Sequence, residues 1–259
     1  MTSTVQDLFN LSGRCALVTG GSRGLGLQMA QSLGEAGAKL ALVARNVGEL
    51  QQAREHLHGL GLHAQIFPAD LSHREAIAPL VQSVQAALGR IDILLNNAGA
   101  TWGAPAEDYP DEAWDKVMRL NVDAVFVLSR EVGKRCMIAQ GRGSIVNIAS
   151  VAGLRGNPLA MRTIAYNTSK GAVINFTRAL AAEWGQYGIR VNAILPGFFP
   201  SKMTAGLLAK MRDQVIQKTP LARIGGEQDL MGAAVFFASD ASRHVTGQCL
   251  AVDGGASSI

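Results

Sequence analysis

Seven short apolar runs, near residues 14–19, 39–44, 63–68, 91–96, 144–149, 190–195 and 249–252, alternate with stretches of helical periodicity. Strands interleaved with helices pair in parallel through right-handed crossovers, and the helices then cover both faces of the sheet. The pattern predicts an α/β fold: a doubly wound parallel seven-stranded sheet in a single domain spanning 1–259. The size suits it, since 259 residues of 48% hydrophobic content can bury a large core, and no linker, charge block or internal repeat divides the chain. In such sheets functional residues gather beyond the carboxyl ends of the strands. Gly20, Arg45, Asp70, Asn97, Ser150 and Pro196 each stand just past one.

Two constellations carry chemistry. The first strand runs directly into Gly20-Gly21-Ser22-Arg23-Gly24-Leu25-Gly26, and a helical pattern follows through Ala36. Glycines let the backbone turn tightly and come close to a ligand, while the first helical turn offers unpaired N–H groups and a positive dipole end, as a diphosphate requires. The spacing at 20, 24 and 26 is Gly-x-x-x-Gly-x-Gly. The second is Tyr166-Asn167-Thr168-Ser169-Lys170, where a phenol and an ammonium four residues apart share one helix face. A cation held nearby favours the phenolate and suits the phenol to acid/base work near neutral pH. Taken alone, such a pair is ordinary on a half-buried helix.

These features come with Asn96-Asn97-Ala98-Gly99 after the fourth strand, Asn121 in a long helical stretch and Ser150 closing the fifth strand. Pro196-Gly197 follows the sixth, and Val252-Asp253-Gly254-Gly255 stands near the end. In this order, over nearly its whole length, the chain resembles the single-domain short-chain dehydrogenases/reductases. The resemblance implies a Rossmann-type fold and hydride transfer between NADP(H) and a ketone or secondary alcohol. It implies that Ser150 holds the substrate oxygen and that Tyr166 exchanges its proton. Lys170 would lower the Tyr166 pKa and bind the nicotinamide ribose, while Asn121, through a backbone kink and ordered water, would link Lys170 to solvent.

The resemblance also carries the cofactor contacts. Gly20, Ser22, Arg23, Gly24, Leu25 and Gly26 would form the diphosphate turn, and Asp70 with the backbone of Leu71 would meet the adenine. Asn97, Ala98 and Gly99 would line the adenosine ribose and the middle of the sheet. Pro196, Gly197, the backbone of Phe199 and Ser201 would surround the nicotinamide. Asp70 has a second reading as the N-cap of a helix beginning near Ser72. Charge selects the nicotinamide: the NAD pattern places an acid at the end of the second strand, where this chain has Ala44-Arg45. A guanidinium forks onto a 2′-phosphate that a carboxylate would repel. Arg23 matches the second cation of NADP-preferring relatives.

The formal charge of +4 comes from scattered Lys and Arg with no basic segment interleaved with aromatics. That excludes nucleic acid as the expected partner and favours a phosphorylated cofactor and an anionic substrate. Met1 to Ser12 is polar and mixed, and no apolar run is long enough for a bilayer, so a soluble cytoplasmic protein without a membrane partner is expected. Cys15, Cys136 and Cys249 are widely separated and read as structural thiols. His56, His58 and His63 read as a solvated helix end, with no metal site expected.

The substrate is less legible. Its walls are expected from Trp102, Gly103, the stretch Leu154 to Arg162 including Leu159, and a lid over about 198–219. Leu195 either narrows the cavity floor or packs the core. In wording the chain is nearest to gluconate 5-dehydrogenase-like and 3-oxoacyl-carrier-protein reductase-like members. Tyr187-Gly188, where the fatty-acid enzymes have Arg-Gly, counts against a docked carrier protein, and the apolar walls count against a sugar acid. The expectation is therefore a carbonyl reductase or alcohol dehydrogenase on a ketone, with 3-oxoacyl-thioester or ketogluconate reduction as alternatives. A catalytically silent NADP-binding regulatory protein is the reading of another class, and the complete set Asn121, Ser150, Tyr166 and Lys170 stands against it. Small and apolar residues on several faces of the stretch 163–184 predict a homo-oligomer, a dimer or tetramer.

Overall fold

The computed structural model describes residues 4–158 and 160–259, which leaves Leu159 of the expected substrate wall outside the described residues. Seven strands form one parallel sheet: β1 (Cys15–Thr19), β2 (Lys39–Ala44), β3 (Ala64–Pro68), β4 (Ile93–Asn96), β5 (Gly143–Ile148), β6 (Ile189–Pro196) and β7 (Cys249–Val252). Their spatial order is β3-β2-β1-β4-β5-β6-β7. The chain builds outward from β1 to β3 and then returns to place β4 on the other side of β1. The crossovers above β1 and β4 thus leave in opposite directions, opening a crevice at the carboxyl ends of those strands. All seven runs marked by the sequence are strands, with limits within two residues of those expected.

The helices are α1 (Val5–Phe9), α2 (Gly24–Glu35), α3 (Val47–Gly59), α4 (Ile77–Leu88), α5 (Asp111–Met118), α6 (Ala124–Val132), α7 (Ile138–Gln140), α8 (Ile164–Trp184), α9 (Ala205–Gln217) and α10 (Met231–Ala238). Successive strand residues point to opposite faces, so each strand feeds two cores. Ala16, Val18, Leu40, Leu42, Ile93 and Leu95 pack with α2, α3 and α10 on one face. Leu17, Ala41, Val43, Leu94, Ile145 and Val191 pack with α4, α6 and α8 on the other. Near-continuous apolar strands are the signature of a sheet buried on both sides, and each fully buried Leu or Ile contributes about 1.5–3 kcal/mol.

The long helical stretch expected around Asn121 is interrupted. Between α5 and α6 the backbone widens into a π-turn at Arg119–Asp123, and a second π-turn, Gly133–Met137, precedes α7. Leu195 is fully buried against Ala149, Val173, Ile174 and Ala193, which settles it as core packing.

Candidate active site

The crevice above β1 and β4 is a cleft of about 750 Å³. At its base Gly20 adopts φ +63 and Gly24 φ +53, conformations that suit glycine alone. A Cβ on Gly26 would lie 2.2 Å from the Gly20 carbonyl oxygen, so the turn can close only on a bare backbone. A Cβ on Gly24 would meet nothing within 4 Å, because that residue opens α2 at the edge of the cleft. The amino end of α2 therefore faces open space with its N–H groups accessible, a cradle fitted to a diphosphate.

Asn97 and Thr19 lock this turn to β4. The Thr19 hydroxyl accepts from the backbone N–H groups of Asn97 (2.9 Å) and Ala98 (3.0 Å), and the Asn97 amide donates to the carbonyls of Thr19 (3.0 Å) and Gly20 (3.2 Å). The Asn97 side chain is thus spent on the glycine turn, a role its spacing did not reveal.

Around the upper cleft, Arg45 is 69% exposed at the end of β2, its Nη1 3.8 Å from Asp70 Oδ2. Asp70 does not cap a helix. Its Oδ1 accepts from the Ser72 N–H (3.0 Å) and hydroxyl (2.7 Å), closing a turn ahead of the 3₁₀ segment Arg74–Ala76. Burial raises the Asp70 carboxyl, but the Ser72 hydrogen bonds and the Arg45 charge outweigh it and hold the group below the ordinary value. Arg23 Nη1 donates to Glu49 Oε1 at 3.1 Å, and Ser22 Oγ donates to Glu49 Oε2 at 3.3 Å.

At the other end, Ser150, Tyr166 and Lys170 line the same cleft. Ser150 leaves β5 in extended conformation and its hydroxyl accepts from the Ala152 N–H at 3.1 Å, which fixes its orientation. Lys170, 5% exposed, donates from Nζ to the Ile148 carbonyl at 2.6 Å and sits 5.6 Å from the Tyr166 ring centroid. The Tyr166 phenol lies above its ordinary value of 10: burial raises it and the neighbouring Ser150 hydroxyl pulls it only part of the way back, so the lowering expected from Lys170 does not set the net direction. Burial likewise brings the Lys170 ammonium from 10.5 down to about 8. Desolvation dominates both groups, a tertiary effect that spacing along a helix cannot disclose.

Asn121 is fully buried behind the cleft rather than on its wall. Its Oδ1 accepts from the Ala100 N–H (2.8 Å), and its Nδ2 donates to the Ala100 carbonyl (2.9 Å) and Ser169 Oγ (2.9 Å). It clasps the strand-to-loop segment after Gly99 onto α8, and the π-turn around it is the backbone kink expected there.

Pro196, Gly197, Phe199 and Ser201 reach the cleft together with Leu25, Leu71, Ala98 and Gly99. Thr204, which the sequence did not single out, organises this corner. Its hydroxyl donates to the Phe199 carbonyl at 2.6 Å and lies 3.0 Å from Ser201 Oγ. The expected outer walls are not part of the cleft. Trp102, Gly103 and the described residues of 154–162 lie outside it, and Arg155 donates to the carbonyls of Ala256 (2.6 Å) and Ile259 (3.2 Å) instead.

A family model described as enoyl-(acyl carrier protein) reductase matches residues 20–257. The gluconate 5-dehydrogenase of Gluconobacter oxydans (strain 621H) is 43% identical over 252 residues, 96% of each chain. The chain belongs to the short-chain dehydrogenase/reductase family. A second relative, the rhamnolipids biosynthesis 3-oxoacyl-[acyl-carrier-protein] reductase of Pseudomonas aeruginosa, is 38% identical over 252 residues, covering 95% of this chain and 97% of that one. Among solved structures, a gluconate 5-dehydrogenase from Burkholderia cenocepacia J2315 in complex with NADP and tartrate superposes with TM-score 0.94 at 36% identity, covering 99% of this chain and 100% of that one. As a short-chain dehydrogenase/reductase, the protein is an oxidoreductase acting on CH–OH or C=O groups.

Proposed function

We propose that the protein is an NADP(H)-dependent carbonyl reductase and alcohol dehydrogenase in which Tyr166 is the general acid/base. The observation that carries this reading is the shared cleft: one continuous cavity joins the glycine cradle and Arg45 at one end to Ser150, Tyr166 and Lys170 at the other. The residues fit the cofactor, since the open amino end of α2 suits a diphosphate and Arg45 offers its exposed guanidinium where a 2′-phosphate would lie. When bound, NADPH supplies a hydride to a carbonyl carbon, and NADP⁺ takes one back in the reverse direction. Ser150 positions the substrate oxygen by its hydroxyl. Tyr166, whose raised pKa keeps it protonated at neutral pH, delivers the proton as negative charge grows on that oxygen. Lys170 places a cation beside the phenol and would hold the ribose, while Asn121 anchors the loop after Gly99 and would link Lys170 to solvent through ordered water at the π-turn.

The names of the gluconate 5-dehydrogenase relatives and of the 3-oxoacyl reductase relative support a substrate among polyol-acid ketones or 3-oxoacyl thioesters. Lys202 and Met203, at the head of the segment 198–219 that serves as lid, line the cleft, and the lysine suits a carboxylate or other anionic substrate. We place the protein in the cytoplasm, in keeping with three unpaired thiols, and as a homo-oligomer built on α6 and α8. There Phe126, 47% exposed, meets Phe176 edge-on at 6.3 Å and carries the Arg130 guanidinium 5.4 Å above its ring. Initial rates with 5-ketogluconate, acetoacetyl thioesters and aryl and aliphatic ketones, each with NADPH and NADH, test the reading. Turnover with at least one ketone and a higher kcat/KM for NADPH is expected. Equal or better kcat/KM with NADH would remove the NADP assignment, and silence across the panel despite tight NADPH binding would favour a regulatory role.

A further inference from the structure

Glu49 brings a carboxylate to the wall of the cofactor cleft, and nothing in the chemistry above uses it. It stands in the first turn of α3, where an acid is ordinarily explained by the helix dipole. Here the side chain turns to the glycine loop instead. Oε1 takes a hydrogen bond from Arg23 (3.1 Å) and Oε2 one from Ser22 (3.3 Å), so both groups through which that loop would meet a 2′-phosphate already hold an acid. Arg45, by contrast, has among the described residues only the long 3.8 Å approach of Asp70, an acid already bonded to Ser72. The two arginines are therefore unequal: one is open, and the other is restrained by a carboxylate.

We propose that Glu49 is a cofactor-selectivity residue that opposes the 2′-phosphate and holds the preference for NADP(H) below what Arg23 and Arg45 would together confer. This deepens the assignment of the cleft to NADP(H) and rests on it. A phosphate monoester carries about −1.5 to −2 charges. To reach Arg23 it must displace the Glu49 carboxylate or share the guanidinium with it, and in either case two anions come close. The ribose of NADH brings uncharged hydroxyls that a carboxylate accepts readily, so the same residue costs NADH nothing. Discrimination is a difference of affinities, and Glu49 acts on one side of it.

Glu49→Gln isolates the charge, because the cap of α3 uses the Glu49 backbone N–H donating to Asn46 Oδ1 (3.0 Å), not its side chain. Dissociation constants for NADPH and NADH, measured by fluorescence titration of the wild type, Glu49→Gln and Glu49→Ala, give the test. Both variants are expected to bind NADPH about tenfold more tightly, with NADH unchanged or weaker. An NADPH constant that stays the same or rises in both variants would overturn the proposal, showing that Glu49 serves to orient Arg23. A wild type that binds NADH as tightly as NADPH would instead overturn the cofactor assignment, and the wild-type titrations reveal that before any variant is compared.

Discussion

Lys170 is an ammonium in a place that resists charge. Burial lowers its pKa from 10.5 to about 8, so between those values the unfolded chain holds a proton that the folded protein does not. Stability contributed at this residue accordingly rises with pH from about 8 to about 10.5, and below 8 the fold bears the full cost of the buried cation, at most about 3 kcal/mol. In Lys170→Met that pH dependence disappears, while the loss of the bond to the Ile148 carbonyl is the same at every pH. Urea denaturation at pH 7 and pH 10 should therefore show the variant losing ground to the wild type as pH rises, by up to about 3 kcal/mol, with turnover lost throughout. A difference independent of pH would mean that Lys170 is not desolvated as described. Spacing alone brought Tyr166 and Lys170 to notice, and the cleft does hold both. What spacing could not convey is the surroundings: the raised phenol, the Asn97 amide spent on Thr19 and Gly20, and the contacts of Glu49 and Thr204 depend on residues distant in sequence or on loop geometry.

Among the elements, β4 and β5 are tied to the helices above them by a buried polar ladder. Asn96 donates to Asn147 (2.9 Å) and Ser129 (3.1 Å), and Asn147 donates to Thr177 (2.9 Å), which links the strands to α6 and α8. Asn147 is completely buried, so Asn147→Leu strands polar groups of Asn96 and Thr177 where water does not reach. A loss of about 2–4 kcal/mol in urea denaturation is expected, and a loss below about 1 kcal/mol would show that the ladder is not a source of stability. The strands were readable because a sheet covered on both faces demands unbroken apolar runs. The π-turns at Arg119–Asp123 and Gly133–Met137 were not readable as such, since one extra residue in a helical turn leaves the apolar period almost intact. The helix Val5–Phe9 buries no residue and so had no apolar face to betray it.

For the whole molecule, the topology does the positioning. Reversal of strand order at β1 and β4 opens one crevice, and Gly20, Arg45, Asp70, Asn97, Ser150 and Pro196 meet along it because each stands at the carboxyl end of a strand of the same sheet, while α8 brings Tyr166 and Lys170 to them. The alternation of elements made that convergence legible, whereas loops carry no periodic signal from which an outer substrate wall can be read. Assembly belongs to this scale too. If α6 and α8 form the interface, Phe126→Asp should shift the protein toward monomer in light scattering at micromolar concentration, and a wild type already monomeric there would contradict the oligomer. Central to the proposed function is proton exchange at Tyr166 beside a bound nicotinamide. The most direct test is the turnover number of Tyr166→Phe for ketone reduction, with NADPH binding measured on the same sample. A fall of at least about 10²-fold with binding retained is predicted, and near-normal turnover would contradict it.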